Sequence, residues 1–433
     1  MKIPRTRKLL FLSVLILTSL FGVSLVYIFF DVEGSALNVQ HKPGVDVQNP
    51  ATGVNPARFE PPRIIYTRFP PMEKRKRDKN NRPLRILITG GAGFIGSQLG
   101  VHFHRQGYEV ILLDNMAFGY KDNLIVNGKR FGMFVLADVL DERTYKFYEG
   151  VDTVFHFAAI SALPVCQQNP RYAADVNIAG AASALEASRL AGVRRFIFSS
   201  TSAVYENNSE PILVESLPVT PKLIYPLTKY QAELLVKSFG VSYGMDFVIM
   251  RFFNVYGPHQ DVRRRSPPFT SYIARELVRG RRPVLHGTGK QQRDYVYIMD
   301  LINLAELLMT AARAKCEIVN VASGKSYSTR EMFDMVAEIT NRKDIKPYFQ
   351  NAKSFWNAYS HLSKGSYPLD QNLIEGEVEK RVLGSYEKAK ELVGWNPRIS
   401  MKEGLEKIVD YIKSLNTADL DTETAWSLPI KEP

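Results

Sequence analysis

The stretch RILITGGAGFIGS, residues 85–97, decides how this chain is read. Four residues of buried-strand character, Ile86 to Thr89, lead into Gly90, Gly93 and Gly96, and a helical pattern opens at once with Phe94 and Ile95 inside the turn. Glycines at that spacing let the backbone turn tightly after a strand and approach a phosphate, while the first N–H groups of the helix point at the negative charge. A second strand, EVILLD, ends in Asp114, 18 residues beyond Gly96 and just ahead of Asn115. An acidic side chain at about that distance accepts hydrogen bonds from the adenosine ribose hydroxyls and repels a 2′-phosphate. The pattern therefore predicts bound NAD rather than NADP. An ordinary βα turn is the bland alternative; the flanking strand and helix and the correctly placed acid weigh against it.

Strand and helix patterns alternate on the C-terminal side of this turn. RILIT, EVILLD, FGMFVLAD, DTVFHFAA, RFIFSS and FVIMRF all read as strands apolar on both faces, the signature of a buried parallel sheet. The expectation is an α/β, doubly wound Rossmann-type sheet over 84–254, mainly the NAD-binding domain. Beyond about residue 255 the strands thin out, which predicts a smaller C-terminal lobe over 255–415 that binds substrate and returns in part to the sheet. Residues 416–433 read as a tail.

The N-terminal side is different in kind. Leu9 to Phe30 contains 22 residues without a charge, preceded by Lys2, Arg5, Arg7 and Lys8 and followed by Asp31 and Glu33. As a helix it would run about 33 Å, enough to cross a hydrocarbon core. The charge bias places the tail 1–8 in the cytosol and the rest of the chain on the far side. The rival is a cleaved signal peptide with Gly34-Ser35-Ala36 as its site, for which the apolar run is long. Residues 31–83 read as a stalk, with the solvated basic run KRKRDKNNR at 74–82 as a flexible linker.

Composition limits what the protein does. The 433 residues, 45% hydrophobic, suffice for one large α/β unit with appendages. The net charge is +12, of which residues 1–83 carry +8, so a nucleic-acid-binding core is not indicated. The two cysteines, Cys166 and Cys316, form no CxxC pair and read as ordinary buried thiols; the seven histidines form no metal-ligand cluster.

Chemistry-bearing residues gather after the fifth strand pattern. FIFSSTSAVYE, 196–206, places Ser199, Ser200, Thr201 and Ser202 at a strand end, where open α/β sheets bind ligands. Tyr225 and Lys229 follow at Y-x-x-x-K spacing, on one face of a helix. A phenol with a pKa near ~10 is a poor base at neutral pH. A neighbouring ammonium and the positive nicotinamide ring favour phenolate.

From 85 to about 412 the chain resembles the extended short-chain dehydrogenase/reductase family, within it the nucleotide-sugar epimerase/dehydratase branch. TGGAGFIGS resembles the family's cofactor turn, and Asp138, with Val139 in ADVLD, its adenine-side aspartate. Phe157, Ala158 and Ala159 resemble the strand lining the cofactor, and Asn177 in DVNIAG a helix position near it. Thr201, Tyr225 and Lys229 resemble the catalytic triad. RFFNVYGP with Asn254, and QQRDYVYIMD with Arg293, resemble segments gripping the nucleotide diphosphate, and LVGWNP with Trp395 the C-terminal end. The resemblance implies a cycle in which Tyr225 takes a proton from a sugar hydroxyl, normally at C4, while the same carbon gives hydride to NAD⁺. Lys229 holds the nicotinamide ribose, Thr201 orients the hydroxyl, and Ser202 lies beside the sugar. It also implies homodimers built through two helices that pack into a four-helix bundle.

In that family 4,6-dehydratases typically carry Asp-Glu directly after the threonine and UDP-glucuronate decarboxylases Ser-Glu; this chain has Ser202-Ala203. With no carboxylate to eliminate water or assist decarboxylation, an NAD-dependent nucleotide-sugar 4-epimerase is expected, of UDP-hexose type. UDP-glucuronate and UDP-pentose epimerases, a membrane-bound hydroxysteroid dehydrogenase and a non-catalytic NAD-binding scaffold are the alternatives. Two departures from the family stand out. The Arg that often clamps the diphosphate is missing from LIEGE, 373–377, with Arg381 as a substitute. Residues 347–375 form a longer, aromatic insert, read either as a decorated surface loop or dimer contact, or as a lid shaping sugar choice. A type II anchor with a luminal catalytic domain fits the Golgi or ER, where Asn207 in N-N-S becomes a glycosylation sequon.

Overall fold

The computed structural model describes residues 15–19, 22–26, 64–264, 267–364 and 366–416. A mostly parallel sheet, its central strands buried on both faces, forms the main body. In chain order its strands are β1 (Ile65–Tyr66), β2 (Arg85–Thr89), β3 (Glu109–Asp114), β4 (Met133–Leu136), β5 (Thr153–His156), β6 (Arg195–Thr201), β7 (Phe247–Phe252) and, after the short β8 (Asn254–Tyr256) and β9 (Gln292–Tyr297), β10 (Glu317–Val321). Across the sheet they run β10-β7-β6-β5-β2-β3-β4-β1. All neighbours are parallel except β1, which closes the edge antiparallel to β4. The chain thus winds one way from β2 and the other way from β5. The crevice beyond the carboxyl ends of these two neighbours is where such sheets bind ligands.

The alternation of side chains explains why this sequence needs layers on both sides. Ile86, Ile88, Val110 and Leu112 enter one core, with Leu99 and Phe103 of α1 (Phe94–Arg105) and the later Leu301, Leu304 and Leu308. Leu87, Ile111, Leu113 and Val154 enter the other, with Ala184 and Leu185 of α2 (Gly180–Leu190) and Ala232 and Val236 of α3 (Ile224–Tyr243).

The second lobe packs α4 (Phe269–Val278), α6 (Thr329–Ile339) and α8 (Met401–Ser414) together beside a small sheet of β8, β9 and β11 (Ser326–Ser328). Between them, α5 (Ile298–Thr310) and β10 return to the main body, and α7 (Gln371–Glu379) lies at the cleft. The LVGWNP segment is tied back to α5: Trp395 Nε1 donates to the Asp300 carbonyl at 3.0 Å, and Arg398 and Ile399 N–H donate to its carboxylate at 3.1 Å.

Three expectations need correction. Residues 64–83 are folded rather than stalk. Ile65–Tyr66 pairs with Leu136 and Val135, and the basic run is a turn in which Asp78 accepts from Asn80 and Arg82 N–H while Arg82 bonds Asp152. These partners lie about 70 residues away, beyond what local pattern reveals. In the run 9–30 the described residues, Leu15–Ser19 and Gly22–Val26, form a two-stranded antiparallel ladder, not a helix. A β-branched apolar run satisfies either form. Among the described residues no helix is long and apolar enough to cross a membrane. The tail 1–8, most of the stalk and residues 417–433 lie outside the described residues. Finally, Cys166 is buried but Cys316 is exposed, in the turn that opens β10.

Candidate active site

The cofactor cradle follows from two glycines. Gly90, at φ +72°, ends β2, and a Cβ there would lie 2.8 Å from Ala158 N. At Gly96 a Cβ would lie 2.3 Å from the Gly90 carbonyl oxygen. Only glycine fits both. Gly93 opens α1 without a side-chain cap and with no acid in the first turn, leaving its N–H groups for an anion. The Thr89 hydroxyl accepts from Phe157 and Ala158 N–H at 3.2 Å, pinning the β2 end to the residues after β5. Phe157, Ala158 and Ala159 thereby become a wall of the crevice.

One cavity holds Gly90, Gly93, Asp114, Asn115, Asp138, Val139, Phe157, Ala158 and Ala159 among its lining residues. The Asp114 oxygens accept from Ala92 N–H at 3.0 Å and Met116 N–H at 2.7 Å, so this side chain also braces the glycine turn. Burial raises its carboxyl, and the two N–H groups oppose that rise. A carboxylate oxygen retains further lone pairs, which suits a ribose diol. Asn115 donates to Asp138 at 2.8 Å. Tyr172 and Phe118, which no sequence pattern marked, also line it.

A second cavity is continuous with the first through Gly90, Gly93, Phe118, Phe157 and Ala159. It brings together Phe94, Ile95, Gly96, Thr201, Ser202, Tyr225, Lys229, Asn254 and Arg293. Thr201 ends β6 and accepts from Ala203 N–H at 3.2 Å. Tyr225 and Lys229 sit one turn apart near the start of α3. Burial pushes the Tyr225 phenol up to about 12, and its hydrogen bond with Thr201 works the other way. Burial brings the Lys229 ammonium down to about 7, against the pull of Glu233. Desolvation thus opposes the phenolate that a neighbouring ammonium and the nicotinamide ring are together expected to favour. The Lys229 ammonium lies 4.3 Å from the Phe198 ring centroid.

Asn177 does not line either cavity. Its Oδ1 accepts from Ile160 N–H at 2.8 Å, and its amide donates to Ile160 O and the Thr228 hydroxyl at 3.1 and 3.0 Å. Sitting on a π-helical turn, Asp175–Ala179, it ties the loop after β5 to the α3 turn between Tyr225 and Lys229. It positions the site rather than touching cofactor.

Sequence reading also missed a buried network beneath the site. Arg251 on β7 donates twice to Glu233, at 2.9 and 2.8 Å, and to Tyr205 Oη at 2.8 Å, while the Ser200 hydroxyl donates to Glu233. Glu233 follows Lys229 by four residues, on the same helix face, and that spacing was the available signal.

At the far end, Asn254 donates to Asp294 O at 3.1 Å. Arg293 donates to the carbonyls of Gln292 (3.1 Å), Glu377 (2.6 Å) and Lys380, at the C-terminal end of α7. Arg381 is exposed and outside the cleft; Lys380 lines it instead. The aromatic insert is not a free loop. Tyr348–Gln350 pairs in parallel with Val284–His286, and Ala352–Ser363 packs on the short helix Leu163–Gln168. Tyr359 joins the apolar cluster around Ile160, Val165 and Cys166 that also holds Tyr225.

The sequence and fold that build this site match known proteins. The model of the NAD dependent epimerase/dehydratase family matches residues 86–322. The chain belongs to that family. A putative UDP-glucose 4-epimerase of Methanocaldococcus jannaschii is 33% identical over 338 residues, covering 76% of this chain and 99% of that protein. The UDP-glucose 4-epimerase of Thermotoga maritima, solved with UDP-glucose, superposes with a TM-score of 0.66 at 30% identity, covering 76% of this chain and 99% of that one. That of Thermus thermophilus, in complex with NAD, gives 0.64 at 30% identity, with 76% and 99% covered. This member of the family is thus an NAD-dependent nucleotide-sugar epimerase, and the glycine cradle with the uncapped α1 fits its cofactor.

Proposed function

We propose that this epimerase interconverts UDP-hexoses at C4 through a 4-keto intermediate. The observation that carries this is the lining directly after Thr201: Ser202 and Ala203 face the cleft where a dehydratase or decarboxylase needs a carboxylate. Tyr225 as phenolate removes the proton of the sugar C4 hydroxyl, with Thr201 bonded to both. NAD held in the glycine cradle would supply the acceptor and donor of hydride for C4. Lys229 holds the nicotinamide ribose, and its charge together with that of the cofactor lowers the phenol that burial raises. Asn254 and Arg293 anchor the nucleotide while the ketone turns its other face. Incubating the purified protein with UDP-glucose, UDP-N-acetylglucosamine and UDP-glucuronate, followed by anomeric-proton NMR, tests this: a UDP-hexose and its 4-epimer interconvert without net NAD consumption. Turnover of none of them would overturn it.

The reading extends to a single-pass type II anchor at 9–30 with a luminal catalytic domain in the Golgi or ER. It is supported by the uncharged run and its flanking charges. A bilayer favours the helix over the two-stranded ladder, because lipid leaves the outer backbone groups of a ladder unpaired. Full-length protein should stay with membranes through alkaline carbonate extraction; release into the supernatant would remove the anchor. A homodimer through the outer faces of α2 and α3 completes the reading.

A further inference from the structure

Resting on the nucleotide-sugar reading, we infer that Lys380 is the second cation of the diphosphate subsite and that Glu377 is its internal counter-ion, displaced when a nucleoside diphosphate binds. The LIEGE stretch lacks an arginine, and Arg381 is exposed. Lys380 and Glu377 both line the cleft with Arg293, Asn254 and Tyr295. The Lys380 ammonium donates to Glu377 Oε2 at 2.6 Å, and the pair is largely withdrawn from water, with side-chain exposures of 22% and 12%. Arg293 holds the same corner from the other side. One guanidinium nitrogen donates to Lys380 O, and the other to Glu377 O at 2.6 Å and Val378 O at 3.4 Å. Arg293 and Lys380 thus both line the cleft that also holds Tyr225, and the Glu377 carboxylate is paired with Lys380.

A carboxylate on an ammonium has the chemistry of a phosphate oxygen on the same group: a short, charge-assisted bond. Removing the carboxylate leaves a half-buried cation without a partner, a state that an incoming anion relieves. Removing the ammonium has the opposite effect on an anion. The two substitutions thus act with opposite sign, which a merely structural ion pair would not do, since breaking it from either side would then damage the corner alike.

The test is calorimetric titration of the full chain, loaded with NAD, using UDP as probe. Lys380→Met should raise the dissociation constant for UDP by about tenfold or more, and Lys380→Arg should restore it. Glu377→Gln should lower it several-fold. NAD retention and melting temperature report whether each variant is folded; should Lys380→Met fail to fold, the direction of the Glu377→Gln change decides alone. Unchanged affinity in folded Lys380→Met, or weaker binding in Glu377→Gln, would overturn the inference. Wild-type protein that retains NAD but binds no UDP would instead overturn the nucleotide-sugar reading.

Discussion

At the scale of single residues, the site opposes burial to charge. Tyr225 has its phenol pushed up to about 12, and Lys229 its ammonium down to about 7. Tyr225→Phe keeps the ring and deletes the base, so turnover should fall at least ~10²-fold while NAD stays bound; near-normal turnover would refute the assignment. Lys229 makes a second, thermodynamic prediction. Its folded value lies below the ordinary 10.5, so the unfolded chain binds the proton more tightly in between. Stability then rises as pH increases from about 7 toward that value and is lost again as pH falls. In Lys229→Met this part of the slope should disappear in urea titrations across that window; an unchanged slope would mean that Lys229 is not held near neutrality. The glycines, Asp114, Thr201, Tyr225 and Lys229 were legible because each belongs to a local pattern. Asn177 was misread because its partners, Ile160 and Thr228, lie 17 and 51 residues away. The upward push on the Tyr225 phenol was not legible because burial is a property of the folded chain.

At the scale of elements, three of them must be held in register for Thr201 and Tyr225 to share one hydroxyl. Ser200 belongs to β6, Glu233 to α3 and Arg251 to β7, and their bonds join the three directly beneath the site. Both ends of the Glu233–Arg251 pair are fully withdrawn from water. Deleting one partner of such a pair strands the other charge, at about 3–5 kcal/mol. Arg251→Met should therefore lower the unfolding free energy from urea titration by that order, far more than loss of the exposed pair Arg330–Asp334; equal effects would deny the network its role. The strands and their parallel order followed from runs apolar on both faces. The folded segment 64–83 did not, since a two-residue strand gains its identity only from the edge it joins. The aromatic insert was visible as an insertion, but its seat on Leu163–Gln168 depends on contacts between distant stretches.

At the scale of the whole molecule, the winding from β2 in two directions places the glycine turn, the Thr201 strand end and the start of α3 around one crevice. The outer faces of α2 and α3 leave apolar groups in water: Leu190 at 62%, Leu234 at 47%, Val241 at 88% and Tyr243 at 58% exposure. Light scattering should accordingly show a dimer, and Leu234→Glu combined with Val241→Glu should give folded monomers; a dimer that survives both changes lies elsewhere. The central claim is that hydrogen leaves C4 and comes back to C4 with nothing else lost. UDP-glucose deuterated at C4 measures it most directly. The account predicts a product of unchanged mass, inverted at C4, that keeps its deuterium there. Deuterium lost to solvent, or a main product lighter by water or carbon dioxide, would contradict it.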